Sequence, residues 1–172
     1  GISDEGVSGE GGYCLSTTVN GSHTGYKRTR TTLEPEFWVD NCHFNCQYIG
    51  VYVANCKYVW LTNNLMYTNA SEGNGYKDFY IISGYQYNIH GNTYRQPYDT
   101  TRVHIWLQTT GILQGISIKD ENLSATARLY VYANSLVTRI EIEESEYIST
   151  ESFVSYPDWF DKYDLRTQSF TL

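Results

Sequence analysis

Residues 41 to 56 read NCHFNCQYIGVYVANC, placing three of the four cysteines and one of the four histidines within a short span. Thiols and imidazole in such proximity suggest a metal site, a disulfide framework or a reactive nucleophile. A structural zinc site normally shows two close ligand pairs. Here Cys42 and Cys46 form one C-x3-C pair, Cys56 follows a strand-like stretch and Cys14 is remote. In an extended segment His43 points away from Cys42. The spacing therefore predicts no metal and no cofactor. Two readings stay open for the thiols: disulfides, whose pairing four cysteines do not fix, or small buried hydrophobes kept reduced. No local signature of a nucleophilic cysteine surrounds any of them.

The carboxylates are the next candidates. Glu141 and Glu143 share one face of the acidic run RIEIEESEYISTE, and paired carboxylates are the machinery of glycoside hydrolysis. Such a pair must flank a cleft, whereas residues two apart on one strand usually form a solvated, edge-protecting row. Asp158, Asp161 and Asp164 lie three apart with aromatic residues among them, which does not match a calcium loop. The chain has no G-x-S-x-G elbow, H-E-x-x-H helix, P-loop or dinucleotide-binding glycine motif. The reading is of a protein that is not an enzyme, with a small all-β glycoside hydrolase as a distant alternative. Sequons occur at Asn20, Asn69 and Asn122, about the number chance would produce, all in stretches read as loops.

The elements that must position these residues read as strands. The chain has 172 residues, 41% hydrophobic and 18% charged, which indicates a single globular domain. Residues 1–12, rich in glycine and acids, read as a flexible leader or linker, leaving 13–172 as a single β-domain. Apolar residues recur with period two in QYIGVYVA, KYVWLT, DFYIISGYQY, TRVHIWLQT, ILQGISI, ARLYVYA and LVTRIEIE. Breaks such as VANC, IHGNTYRQP, TTG and KDEN separate them, and no repeat of fixed period is visible. This pattern predicts an all-β fold, an antiparallel β-sandwich or barrel.

The formal charge of -7 disfavours nucleic acid and anionic lipid as partners, and no apolar run is long enough for membrane insertion as a helix. What stands out is 17 Tyr and 4 Trp against 6 Phe. These rings pair an apolar face with a polar edge that tolerates water, so they are enriched where proteins bind other molecules. The richest loop is NIHGNTYRQPY, where Tyr94, Arg95, Gln96 and Tyr98 combine flat rings with hydrogen-bond donors. It leads to a strand whose alternation sets Arg102, His104 and Trp106 opposite Val103, Ile105 and Leu107. These seven residues are the expected ligand or receptor-binding site.

In size, strand-rich composition and linker-like start, essentially the whole chain resembles the capsid spikes of astroviruses, among the receptor-binding domains of non-enveloped viruses. No short motif carries the likeness. The resemblance implies a homodimeric β-barrel or sandwich on the virion surface that attaches to a host-cell glycan or protein receptor. The alternative expectation is a secreted, lectin-like carbohydrate-binding module using the same aromatic chemistry.

Overall fold

The computed structural model describes residues 1–6, 11–67, 76–94, 102–123, 131–133, 136–143 and 169–171. Sixteen strands follow in order: β1 (Ile2–Gly6), β2 (Gly12–Leu15), β3 (Thr18–Asn20), β4 (Thr24–Asp40), β5 (His43–Asn45), β6 (Ile49–Thr62), β7 (Leu65–Met66), β8 (Tyr76–Ile81), β9 (Gly84–His90), β10 (Thr93–Tyr94), β11 (Arg102–Leu107), β12 (Leu113–Lys119), β13 (Asn122–Leu123), β14 (Val131–Ala133), β15 (Val137–Glu143) and β16 (Ser169–Thr171).

The all-β expectation holds, but the architecture is a correction. The fold is a parallel β-solenoid, not an antiparallel sandwich or barrel. Three faces wind around one interior. The first carries β1, the N-terminal half of β4, the N-terminal half of β6, β8, β11 and β14. The second carries β2, the C-terminal halves of β4 and β6, then β9, β12 and β15. The third is the ladder β3, β5, β7, β10, β13. Among the described strands only β16 is antiparallel, against β15. Residues 2–6, expected in the leader, form β1 and pair with β4.

Period-two alternation has the same appearance in both architectures. It favours an antiparallel reading because most parallel sheets are covered on both sides. A solenoid is an exception: its parallel strands face a core inside and water outside, and the crossover joining consecutive strands of one face is the remainder of the turn. The short breaks are therefore corners rather than hairpins.

Inside, equivalent residues stack in columns. Tyr26, Val51, Phe79, Ile105 and Val131 fill the first face. Phe37, Val59, Tyr87, Ile116 and Ile140 lie under the second, with Cys14, Val39, Leu61, Ile89, Ile118 and Ile142 alongside. Val19, Phe44, Met66 and Tyr94 close the third. All are buried, and this stacking of like on like supplies the main driving force.

The corners are built by backbone handedness. Between second and third faces, Ser16, Asn41, Asn63, Gly91 and Asp120 all have positive φ, a conformation that Asn, Asp and Gly adopt most readily. Each is followed by a residue turned inward or toward the corner: Thr17, Cys42, Asn64, Asn92 and Glu121, of which the last four are buried. A second left-handed column crosses the second face at Gly11, Glu36, Tyr58, Gln86, Gly115 and Arg139.

The N-terminal turn is held by an ionic cluster. Asp4 on β1 accepts from buried Arg28 through Oδ2 and from Arg30 through Oδ1 at 2.6 Å. The Arg28 guanidinium lies 4.7 Å from the centre of the Phe37 ring. Burial would raise the Asp4 pKa, but the Arg30 hydrogen bond and the two guanidinium charges outweigh it and hold the carboxyl below its usual value.

Candidate functional site: a corner groove and its aromatic flank

The corner between first and second faces forms an open groove of about 450 Å³. Leu33, Asn55, Ser83, Tyr85, Thr109 and Ile112 contribute to its lining, and none of its ten lining residues carries a charge. Its polar floor is ordered: Asn55 N donates to Ser83 Oγ at 2.9 Å, Ser83 Oγ to Asn55 Oδ1 at 2.8 Å, and Asn55 Nδ2 to the Arg30 carbonyl at 2.5 Å. Ile112 is 64% exposed. Fixed amides and hydroxyls beside exposed apolar surface suit a ligand carrying both hydroxyls and C–H faces.

Adjoining the groove, first-face side chains point outward in register: Lys27, Tyr52, Tyr80 and Trp106. Tyr52 meets Tyr80 edge to face at 5.2 Å, and Tyr80 meets Trp106 at 6.4 Å. Trp106 Nε1 donates to Gln108 Oε1 at 2.9 Å. Beneath these rings lies Lys77, its Nζ 4.5 Å from the Trp106 ring centre, 5.1 Å from Tyr48 and 5.3 Å from Tyr80. Burial holds the Lys77 ammonium below its usual pKa, and the ring faces stabilise its charge. Ile82 of the groove lining lies two positions after Tyr80, and Thr109 follows Gln108, so the groove adjoins the aromatic flank along the chain.

A second aromatic row lies on the second face. Tyr13 stacks on Trp38 at 4.9 Å and 8°, and Trp38 stacks on Trp60 at 4.3 Å and 3°. Trp38 is covered on both faces, while the two end rings, Tyr13, 65% exposed, and Trp60, are each stacked on one face.

The expected site is divided by the fold. Trp106 stands outward on the flank. Tyr94 and His104 do not: both are buried in the interior, rings 4.9 Å apart. Strict alternation would place His104 beside Trp106, but at this corner His104 and Ile105 are both buried. The corner column runs Gly25, Gly50, Asp78, His104, where the glycines make room for Phe44 and Met66; a Cβ at Gly25 would lie 2.6 Å from Phe44 Cδ1. Arg102 opens β11, its side chain outside those described, and Arg95, Gln96 and Tyr98 lie outside the described residues.

Tyr94 instead belongs to an interior polar cluster. Its hydroxyl donates to Glu121 Oε2, while Asn92 donates to Glu121 Oε1 from N at 3.2 Å and from Nδ2 at 3.1 Å. Full burial dominates these bonds and pushes the Glu121 carboxyl up to about 8.

All four cysteines are buried free thiols, and no His, Cys, Asp and Glu group suited to a metal exists among the described residues. Glu141 pairs with Lys119 at 3.8 Å; Asp158, Asp161 and Asp164 lie outside the described residues. Of the sequons, Asn20 and Asn122 are exposed strand residues rather than loop residues, and Asn69 lies outside the described residues. Leu33, Asn55, Ser83, Tyr85 and Thr109 were not singled out from sequence, although VANC and TTG were marked as breaks. The available signal was that Asn, Ser or Thr stands at this corner in successive turns.

Compared with protein-family models, characterised proteins and solved structures, the chain matches none.

Proposed function

We propose that the chain is a recognition module that attaches its carrier to an uncharged glycan through the corner groove and the Tyr52, Tyr80 and Trp106 flank. The supporting observation is the composition of the groove: ten uncharged residues, with amide and hydroxyl groups held in place beside Tyr85 and exposed Ile112. A sugar chain offers hydroxyls to the first and C–H faces to the second. An elongated ligand also matches a solenoid, whose surface repeats along its axis. The role is binding, not turnover. On a virion surface the glycan would belong to a host-cell receptor, as the spike resemblance implies; a secreted lectin-like module would use the same surface.

Self-association as a homodimer belongs to this proposal. It is supported by the exposure of Ile2, Tyr13 and Leu15 together on the first turn. Light scattering at tens of micromolar tests it, a dimer mass being expected and a strictly monomeric mass overturning it.

The decisive test of the binding role is an array of neutral and sialylated oligosaccharides probed with the wild-type chain and with Tyr85→Ala and Trp106→Ala. Binding to neutral glycans, weakened about tenfold in each folded variant, is expected. No retained glycan, preference for sialylated ones, or unaltered binding by both variants would overturn the reading.

A further inference from the structure

The thiols of Cys14 and Cys42 are 3.7 Å apart in the buried interior. Cys14 is the inward residue of β2, in register with Val39, and Cys42 is the inward residue of the corner that follows β4. Their separation in sequence is 28 residues, so a bond between them would tie the first turn of the solenoid to the second. The other two thiols face elsewhere: Cys46 meets Ser22 Oγ at 3.9 Å, and Cys56 Sγ lies 3.5 Å from the Ala54 carbonyl.

We infer that Cys14 and Cys42 are a disulfide-forming pair, closed by exchange with a low-molecular-weight disulfide such as oxidised glutathione. Sulfurs in van der Waals contact need only small side-chain rotations to reach the bonding distance of about 2.05 Å. The Cys42 thiolate attacks one sulfur of the oxidant, releasing one thiolate and leaving a mixed disulfide. Cys14, losing its proton, then attacks the Cys42 sulfur and releases the second thiolate. Two protein thiols are oxidised and one small disulfide is reduced to two thiols.

The chemistry favours Cys42 as the attacking group. The hydrogen bond with the Cys14 thiol, opposed by burial, lowers its pKa to about 7, while that same contact and burial raise Cys14. Access comes through β2, whose described ladder partner is β4. An edge strand opens more readily than the inner rungs. The product would fasten this edge strand, where exposed Tyr13 and Leu15 flank Cys14.

The test uses the folded, reduced full chain incubated with mixed oxidised and reduced glutathione, then denatured, alkylated and mapped without reduction. Fragmentation must separate Cys42 from Cys46 and Cys56, because no Lys or Arg lies between them. The expected map joins Cys14 to Cys42 and finds Cys46 and Cys56 alkylated. A map with all four alkylated, or with another pairing dominant, would overturn the inference. Cys14→Ser should leave glutathione on Cys42; a Cys42 bond to Cys46 or Cys56 formed as readily in that variant would also overturn it. In the joined form the amides of Tyr13 and Leu15 should exchange about tenfold more slowly, and unchanged exchange would sink the fastening role.

Discussion

The side chains of Asn64 and Asn92 occupy successive turns of one corner, and Asn64 Nδ2 donates to Asn92 Oδ1 at 3.0 Å. Each repeats the same bonds. Asn64 Oδ1 accepts from Cys42 N at 3.0 Å and its Nδ2 donates to the Val39 carbonyl at 3.0 Å. Asn92 Oδ1 accepts from Asn64 N at 2.9 Å and its Nδ2 donates to the Leu61 carbonyl at 2.9 Å. A corner interrupts the strand ladder and leaves buried backbone groups in need of partners; the asparagine column supplies them.

Asn92→Ala should therefore be among the most damaging single changes. It orphans Asn64 N, the Leu61 carbonyl and part of the Glu121 shell, a loss of about 3 kcal/mol. Urea unfolding would show a lower midpoint, whereas a change within experimental scatter would mean that these bonds contribute nothing net.

The same column shows what the sequence disclosed and what it concealed. Strand content and interior residues such as Val51, Val59, Ile105 and Leu107 follow from alternation. The turn was hidden because its length varies, from 22 residues between Phe44 and Met66 to 29 between Tyr94 and Leu123. A search for fixed period misses this. DNCHF, TNNLM, HGNTY and KDENL, at 40–44, 62–66, 90–94 and 119–123, share no residue at every position; what they share is a left-handed residue followed by an inward one. Trp106 was legible as an outward ring. Tyr94 was not, because the two-residue strand β10 that turns it inward lies within a stretch that reads as a loop; His104 was not, because at a corner the strand rule that sorts inside from outside fails, and only neighbouring turns decide where the side chain goes.

Glu121 makes stability depend on pH. Its pKa is near 8 in the fold and near the ordinary carboxylate value when unfolded. Between those values the folded chain holds a proton that the unfolded chain has lost, so this contribution is greatest in acid and falls as pH rises toward 8. Asp4 acts oppositely: its lowered pKa gives stability that is lost as pH falls through the acid range. Melting temperature should therefore decline from about pH 5 to pH 8, and Glu121→Gln should flatten that decline. An equally steep decline in the variant would assign the effect elsewhere.

Two glycines at the groove separate backbone demand from open space. Gly84 has φ +117, and a Cβ there would lie 1.8 Å from the Cys56 carbonyl oxygen; Gly111 has nothing within 4 Å of that position. Gly84→Ala should destabilise by about 3 kcal/mol or more, and Gly111→Ala should stay within about 0.5 kcal/mol of wild type. Equal thermal shifts for the two would contradict the geometry.

The two aromatic rows should separate in their effects. Trp38 is stacked on both sides, by Tyr13 and by Trp60, so it offers no face to a ligand but contributes two ring contacts. Trp38→Ala should lower stability by about 2 kcal/mol, and a double-mutant cycle with Trp60→Ala should return a coupling of about 1 kcal/mol. Glycan binding by the folded Trp38→Ala protein should remain at the wild-type level. Trp106 stands beside the groove with edge-to-face neighbours, so its removal should weaken binding about tenfold. It should also remove one of the three rings around Lys77, at about 1 kcal/mol of stability. Measuring both properties on both variants checks the division: if Trp38→Ala loses binding while Trp106→Ala retains it, the ligand lies on the second face instead.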